Sequence, residues 1–206
     1  MEMMKSRLMG LLLSLVLAGS AYSSPRSGSE FQQDLPATAV LKDESGSMQL
    51  YVNLDVEGED GEENMYSFWL RDKRTGDVTW LFAANNAAEP RWNDMRDGNG
   101  VGVSKEEIAV GEVTNVRFLP WDSGKIFLEG CPDGRNIWSY LYDVADETAI
   151  QFPSTEGLLG IDANARLLHL GSYRYHPEGG RYSVERVYTP DGRFTGEERV
   201  LDEEEY

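Results

Sequence analysis

Short runs that alternate apolar and polar residues dominate the chain from residue 37 onwards. In residues 48–54, Leu50, Val52 and Leu54 alternate with more polar neighbours, which is the two-residue period of a strand and not the period of a helix. Clusters of Asp, Gly, Pro and Ser, which favour tight turns, separate these runs. The pattern predicts an all-β protein.

The predicted strands group into three consecutive four-stranded antiparallel meanders, over residues 37–83, 113–153 and 157–201. The last two meanders begin about 45 residues apart, which is the spacing of four-stranded propeller blades. We therefore predict a single all-β domain over residues 37–206 with blade-like repeats. An open arrangement, a half-propeller completed by a homodimer and a β-sandwich remain alternatives, because three blades are too few to close a ring.

Residues 84–112 interrupt this repeat, and they are rich in Asn, Gly and Asp. A structureless loop of this length is unusual inside a compact domain. One interpretation is an ordered insertion with a short strand pair around Val101–Val103 and Ile108–Val110. The other is a binding loop. Residues 104–107 have the composition of a short helical turn.

The N-terminus has the composition of a targeting segment. A basic start followed by the apolar run Leu8–Ala18 and small residues predicts a signal peptide over residues 1–23. Residues 24–36 are polar and predict a flexible leader. Ser20 stands where a lipoprotein signal, L-A-G-C, has its cysteine, so we expect an exported bacterial protein, periplasmic or extracellular, without a lipid or membrane anchor.

The net charge of −17 makes phosphate-rich partners unfavourable, because nucleic acids and anionic membranes are bound through clustered Lys and Arg. Cys131 is the only cysteine, which excludes an internal disulfide. We expect it to be a structural thiol, since no catalytic partner is evident. His169 and His176 are an odd number of residues apart and should point to opposite faces of one strand, so no zinc site is expected. No cofactor is expected either.

The segment Leu70–Asp77, LRDKRTGD, joins two predicted strands through a polar turn. This strand–D-x-x-T-G-x–strand pattern resembles blades of bacterial six-bladed propellers of the TolB-like or NHL-like kind. The resemblance covers about 160 residues. It implies a module that binds proteins or glycans, and some members of such families carry hydrolase sites.

Aromatic residues supply the candidate binding site. Three of the five tryptophans fall on predicted strands, where large rings usually fill the core, whereas Trp92 and Trp121 fall in loops. Together with Tyr173, Arg174 and Tyr175 they could form a face that stacks on sugars or grips a partner. The sequence therefore favours a module that binds protein or carbohydrate, without catalytic residues.

A secreted, glycan-directed hydrolase is the alternative. It would need two carboxyl groups that converge in a pocket with a displaced pKa. This pair would be two of four candidates: Asp94, Asp97, Asp133 and Glu178. Asp94, Asp97 and Asn99 also form a weak calcium candidate, although their spacing matches no complete calcium-binding loop.

Overall fold

The computed structural model describes residues 34–56, 64–84, 86 and 88–203. The predicted signal peptide and nearly all of the predicted leader lie outside these residues. The described chain contains thirteen strands and two 3₁₀ turns, Trp92–Met95 and Lys105–Glu107, and neither turn has the length or apolar character needed to cross a membrane. The strands are β1 (Val40–Ser45), β2 (Met48–Val56), β3 (Met65–Asp72), β4 (Val78–Ala83), β5 (Val101–Ser104), β6 (Glu112–Leu119), β7 (Asp122–Cys131), β8 (Trp138–Asp143), β9 (Thr148–Phe152), β10 (Gly157–Asp162), β11 (Leu167–Tyr175), β12 (Arg181–Tyr188) and β13 (Phe194–Glu203).

The strands form three antiparallel sheets. Sheet A has the order β1-β2-β3-β4, sheet B the order β5-β9-β8-β7-β6, and sheet C the order β10-β11-β12-β13. This confirms the all-β fold and the three successive meanders. Sheet B has a fifth strand, β5, which the insertion contributes.

Sheet B lies between the other two sheets and packs on both faces. One core joins buried side chains of sheets A and B, where the Phe82 and Tyr142 rings lie 4.7 Å apart. A second core joins sheets B and C, where the Phe152 and Tyr188 rings lie 5.4 Å apart. The described sheets thus form a stack of three blade-like layers and not the two layers of a β-sandwich.

The strand β8 shows how one sheet serves two cores. Five of its six residues are buried. Trp138, Tyr140 and Tyr142 belong to the core shared with sheet A, whereas Leu141 belongs to the core shared with sheet C. Since successive side chains of a strand point to opposite faces, a strand with two buried faces has an almost continuous run of large residues.

The described residues of the insertion, 84, 86 and 88–112, contribute a strand and buried side chains to the core. Val101–Ser104 is a strand, as predicted, and pairs with β9. The predicted strand at Ile108–Val110 is wrong: this segment belongs to no strand, and its three residues are 0 % exposed within the core between sheets A and B. The sequence pattern of a short apolar run is the same whether the run pairs in a sheet or packs between two sheets.

The insertion also contacts sheet C. The N–H of Gly100 donates to the carbonyl of Gly192 at 2.7 Å, and the N–H of Phe194 donates to Oδ1 of Asn99 at 2.8 Å. The predicted helical turn is present as the 3₁₀ turn Lys105–Glu107, which begins with a capping box formed by Ser104 and Glu107. Residues 84–112 therefore connect all three sheets.

Aspartates hold several turns in the same way. In four of them the carboxylate accepts hydrogen bonds from the backbone N–H groups two and three residues ahead. These side-chain hydrogen bonds take the place of backbone hydrogen bonds within the turn. The four aspartates are Asp72, Asp133, Asp143 and Asp162. Many acidic residues of this chain thus serve as local turn caps.

The close passage of the insertion across sheet B predicts a strong effect of Gly130→Ala. A Cβ at Gly130 would stand 1.8 Å from the carbonyl oxygen of Val110, so the backbone would have to shift. We expect a loss of about 2 kcal/mol or more in the free energy of unfolding, measured by urea denaturation. Gly160→Ala is the control, because a Cβ there would meet nothing within 4 Å, and it should change stability by less than about 0.5 kcal/mol. Equal effects of the two substitutions would contradict this packing.

Candidate functional site

An aromatic cluster lies on the β11–β12 hairpin of sheet C. Tyr173 and Tyr175 are two residues apart on β11, so both leave the same face of the strand. Their ring centroids lie 5.5 Å apart and the rings are nearly perpendicular, at 82°. Arg181 pairs with Tyr175 across the hairpin and places its guanidinium 5.5 Å from the Tyr173 ring centroid. We call Tyr173, Tyr175 and Arg181 the hairpin cluster.

The two tyrosines differ in what they offer to a ligand. The hydroxyl of Tyr173 donates to Oδ1 of Asn136, in the β7–β8 turn, at 3.1 Å. Burial raises the pKa of Tyr173, and the neighbouring Tyr175 raises it further, so this phenol stays neutral and remains a donor. Tyr175 is 69 % exposed. Of the two tyrosines, Tyr175 is therefore the one that a partner can reach, next to the exposed Arg181.

Arg174 does not join this cluster. Its Nη2 lies 2.9 Å from a carboxylate oxygen of Glu198, and Nε of the buried Arg186 lies 3.1 Å from the same oxygen. Adjacency in the chain suggested that Arg174 acts with the tyrosines. The alternation of side chains along β11 places it on the opposite face.

Trp92 and Trp121 also lie elsewhere. Trp92 stands edge-on to Trp138, with ring centroids 6.1 Å apart, and is 37 % exposed. Trp121 is in the β6–β7 turn and packs against the core between sheets B and C. That turn is at the opposite end of β7 from the β7–β8 turn that Tyr173 contacts. The structure thus brings together two of the five predicted residues, Tyr173 and Tyr175.

Sequence reasoning missed Arg181, because its position beside Tyr173 depends on the register of the hairpin. The turn sequence Pro177–Gly180 predicts a hairpin in which the flanking residues 176 and 181 face each other. The structure pairs Arg181 with Tyr175, one residue away from that register, so the turn sequence alone does not place Arg181 in the cluster.

The weak calcium candidates are engaged by neighbouring donors. Nη2 of Arg91 lies 2.6 Å from a carboxylate oxygen of Asp94. Asp97 accepts hydrogen bonds from the backbone and the side chain of Asn99 at 3.0 and 2.6 Å. Within residues 34–56, 64–84, 86 and 88–203, no three His, Cys, Asp or Glu side chains group as a metal site requires.

The predicted hydrolase carboxylates have ordinary structural positions. Burial raises the pKa of Asp133, but hydrogen bonds from Asn136 and Arg135 outweigh it and the net pKa is lowered. Hydrogen bonds from Asn99 lower the pKa of Asp97 as well. Glu178 is exposed on the β11–β12 turn. Asp97 and Asp133 are thus suited to hold turns as carboxylates and not to act as protonated general acids.

The two histidines and the cysteine are likewise part of local structure. Nδ1 of His169 lies 2.7 Å from a carboxylate oxygen of Glu185. The ring of His176 lies 4.5 Å from the ring of Tyr182, next to the hairpin cluster. Cys131 is half-buried at the end of β7.

A second candidate site runs along the edge strands β1, β6 and β10. Two cavities of about 300 and 490 Å³ lie there, the first between β1 and β6 and the second reaching Ile161 of β10. Asp43 and Arg117 line both cavities, so the two are adjacent. Lys42 lines the first cavity. We call this pair of cavities the inner groove.

A buried carboxyl group supports one wall of the inner groove. Glu129 is 4 % exposed and accepts hydrogen bonds from Oγ of Ser139 at 3.0 Å and Nδ2 of Asn115 at 3.2 Å. Asn115 in turn accepts a hydrogen bond from Nε of Arg117 at 3.0 Å. Burial raises the pKa of Glu129, although these hydrogen bonds act against it.

Comparisons with known proteins found similarity among solved structures alone. No protein-family model matches the chain, and no curated protein matches it. Among solved structures, it is similar to an acylaminoacyl peptidase of Pyrococcus horikoshii, with a TM-score of 0.48 and 11 % identity over 79 % of this chain and 25 % of that one. It is also similar to the β-propeller domain of the trilobed protease from Pyrococcus furiosus, with a TM-score of 0.35 and 13 % identity over 80 % and 57 %. TolB from Acinetobacter baumannii gives a TM-score of 0.31 and 14 % identity over 78 % and 42 %.

The chain spans between a quarter and just over half of the length of those structures. All three TM-scores are below 0.5, so the description of the fold rests on the strand order and register of this chain and not on these likenesses.

The raised pKa of Glu129 predicts an unusual dependence of stability on pH. Between the ordinary pKa of glutamate, about 4.3, and the raised value, the folded state binds more protons than the unfolded state. Stability from this group therefore falls as pH rises through that window. Glu129→Gln removes this titration. In urea denaturation across that range, wild type should lose stability relative to E129Q as pH increases, and parallel profiles would contradict the assignment.

Proposed function

We propose that this chain is an exported binding module that contacts a protein partner through the hairpin cluster. The observation that carries the proposal is the exposure of Tyr175 beside Tyr173 and Arg181. Tyrosine and arginine are the residue types that contribute most to protein interfaces, because they combine a large apolar surface with hydrogen bonds. Blade-like sheets hold such a hairpin on a rigid scaffold.

The ring geometry favours a protein partner over a carbohydrate. Rings that stack on sugars present a flat face, whereas the rings of Tyr173 and Tyr175 stand at 82° to each other. Two perpendicular rings instead form an uneven surface, which is suited to the irregular surface of a protein partner. The net charge of −17 favours a partner with a basic surface, which the field of the whole chain would attract.

Replacement of Tyr175 tests this proposal. The mature chain with Tyr175→p-benzoylphenylalanine, irradiated with the envelope and secreted fractions of the producing cells, should form a protein adduct. The same photoreactive residue at Val200, which is 46 % exposed on the same sheet, is the control and should not. Excess wild type should compete for the adduct, and Y175A should compete at least about tenfold less well.

Two outcomes would contradict the protein assignment. Equal competition by wild type and Y175A would show that the adduct does not depend on the hairpin cluster. Saturable quenching of protein fluorescence by soluble gluco- or chito-oligosaccharides, lost in Y175A and without any protein adduct, would assign the cluster to carbohydrate.

A row of apolar residues on sheet A supports a second proposal, self-association. Equivalent rows cross each sheet in register, with one residue from each of four strands. In sheets B and C these rows pack in the two cores. The rows are Leu41, Tyr51, Trp69 and Trp80 in sheet A, Phe118, Ile126, Tyr142 and Ala149 in sheet B, and Ile161, Leu168, Tyr188 and Phe194 in sheet C.

The row on sheet A belongs to neither of these two cores, although it has the composition of a packed face. The outer face of sheet C is different, since His169 and Arg199 both pair there with Glu185. Closure of sheet A of one copy onto sheet C of another would bury these charges. We therefore infer that two copies associate through sheet A on both, about a two-fold axis.

The size of the face indicates a weak dimer. Four strands about 4.8 Å apart and about 27 Å long present about 500 Å² per copy, which places the pair near the lower limit of about 1,000 Å² for specific interfaces. Trp80→Glu should shift the mature chain to monomer in sedimentation velocity, with its circular dichroism unchanged. Arg199→Gln on sheet C is the control and should remain dimeric. A monomeric wild type at high concentration would contradict the self-association.

A further inference from the structure

Two cations line the inner groove without a close ion-pair partner among the described residues. Lys42 and Arg117 both line it, and neither forms an ion pair with a described residue. The carboxylate of Asp43, which also lines the groove, accepts hydrogen bonds from the N–H groups of Glu44 and Phe118, both at 2.8 Å. Both of its oxygens thus accept from backbone donors, and neither forms an ion pair with Lys42 or Arg117.

A side-chain hydrogen bond orients Arg117 on the edge strand β6. Its Nε donates to Asn115, whose amide donates to the buried Glu129. Its terminal Nη groups make no hydrogen bond with any described residue, while they belong to a planar fork that matches two oxygens of one anion. A buried carboxyl group is costly to maintain. The position of Glu129 behind Asn115 is explained if Glu129 orients Arg117 through Asn115.

We infer that the inner groove binds an oxyanion, a carboxylate or a phosphate group, between Lys42 and the fork of Arg117. The cavities, of about 300 and 490 Å³, are large enough for a small dicarboxylate or for an acidic side chain of a peptide. The net charge of −17 acts against any anion, so a local pair of cations that form no ion pair with a described residue is the feature that permits binding. This site is separate from the hairpin cluster and does not depend on it.

Nuclear magnetic resonance distinguishes the two sources of the anion. The ¹⁵N-labelled mature chain is titrated with inorganic phosphate and, separately, with succinate at constant ionic strength. Saturable shifts of the amides of residues 42–44 and 115–118 with either anion are the expected result, and the anion that saturates first identifies the source. Linear shifts, or shifts centred elsewhere, with both anions overturn the inference.

Variants test the roles of the individual side chains. K42A and R117A should each weaken binding at least about tenfold, and R117K should weaken it nearly as much as R117A because lysine lacks the fork. Arg135→Ala removes an exposed arginine from the β7–β8 turn and is the control for lost charge, so its affinity should equal that of wild type. Wild-type affinity in R117A would overturn the inference.

Asn115 is a positioning residue in this scheme, and its effect must pass through Arg117. N115A should therefore weaken anion binding severalfold in the wild-type background and have no further effect in the R117A background. A general loosening of β6 would weaken binding equally in both backgrounds, and that outcome would overturn the positioning role.

Discussion

The burial of sheet B on both faces is the constraint on which the rest of this structure depends. A sheet with one buried face needs a single partner, but β8 presents Tyr140 and Tyr142 on one side and Leu141 on the other. Both sides must be covered, so sheets A and C each have to supply an apolar face. This explains why three meanders with a similar pattern of apolar and polar residues form one stack.

The strands and turns of the three meanders could be predicted because their signals are local. Alternation and turn residues within a few positions determine them. The path of Ile108–Val110 could not be predicted, because an apolar tripeptide carries no period and its burial depends on Gly130, about twenty residues further along the chain. The pairing of β5 with β9 could not be predicted either, because it joins segments almost fifty residues apart in the chain.

The candidate site shows the same division. Tyr173 and Tyr175 could be selected from the sequence because unusually many aromatic residues lie outside a simple core pattern. The sequence also groups with them Trp92, Trp121 and Arg174. The neighbouring residues in the chain do not determine at which end of the stack, or on which face of its sheet, each of these residues lies. The inner groove could not be predicted, since Lys42 and Arg117 come from different sheets and line one cavity only when those sheets stack.

The acidity of the chain has a structural use that its net charge does not reveal. Hydrogen bonds from Thr75 and Arg74 lower the pKa of Asp72, which ends β3. The stability that this ionised turn cap provides is present at neutral pH and is lost as pH falls through its lowered pKa. Glu129 has the opposite dependence because burial raises its pKa. An acidic composition therefore does not imply uniform behaviour. Carboxylates on turns favour the fold when ionised, whereas the carboxyl group behind the inner groove favours it when protonated.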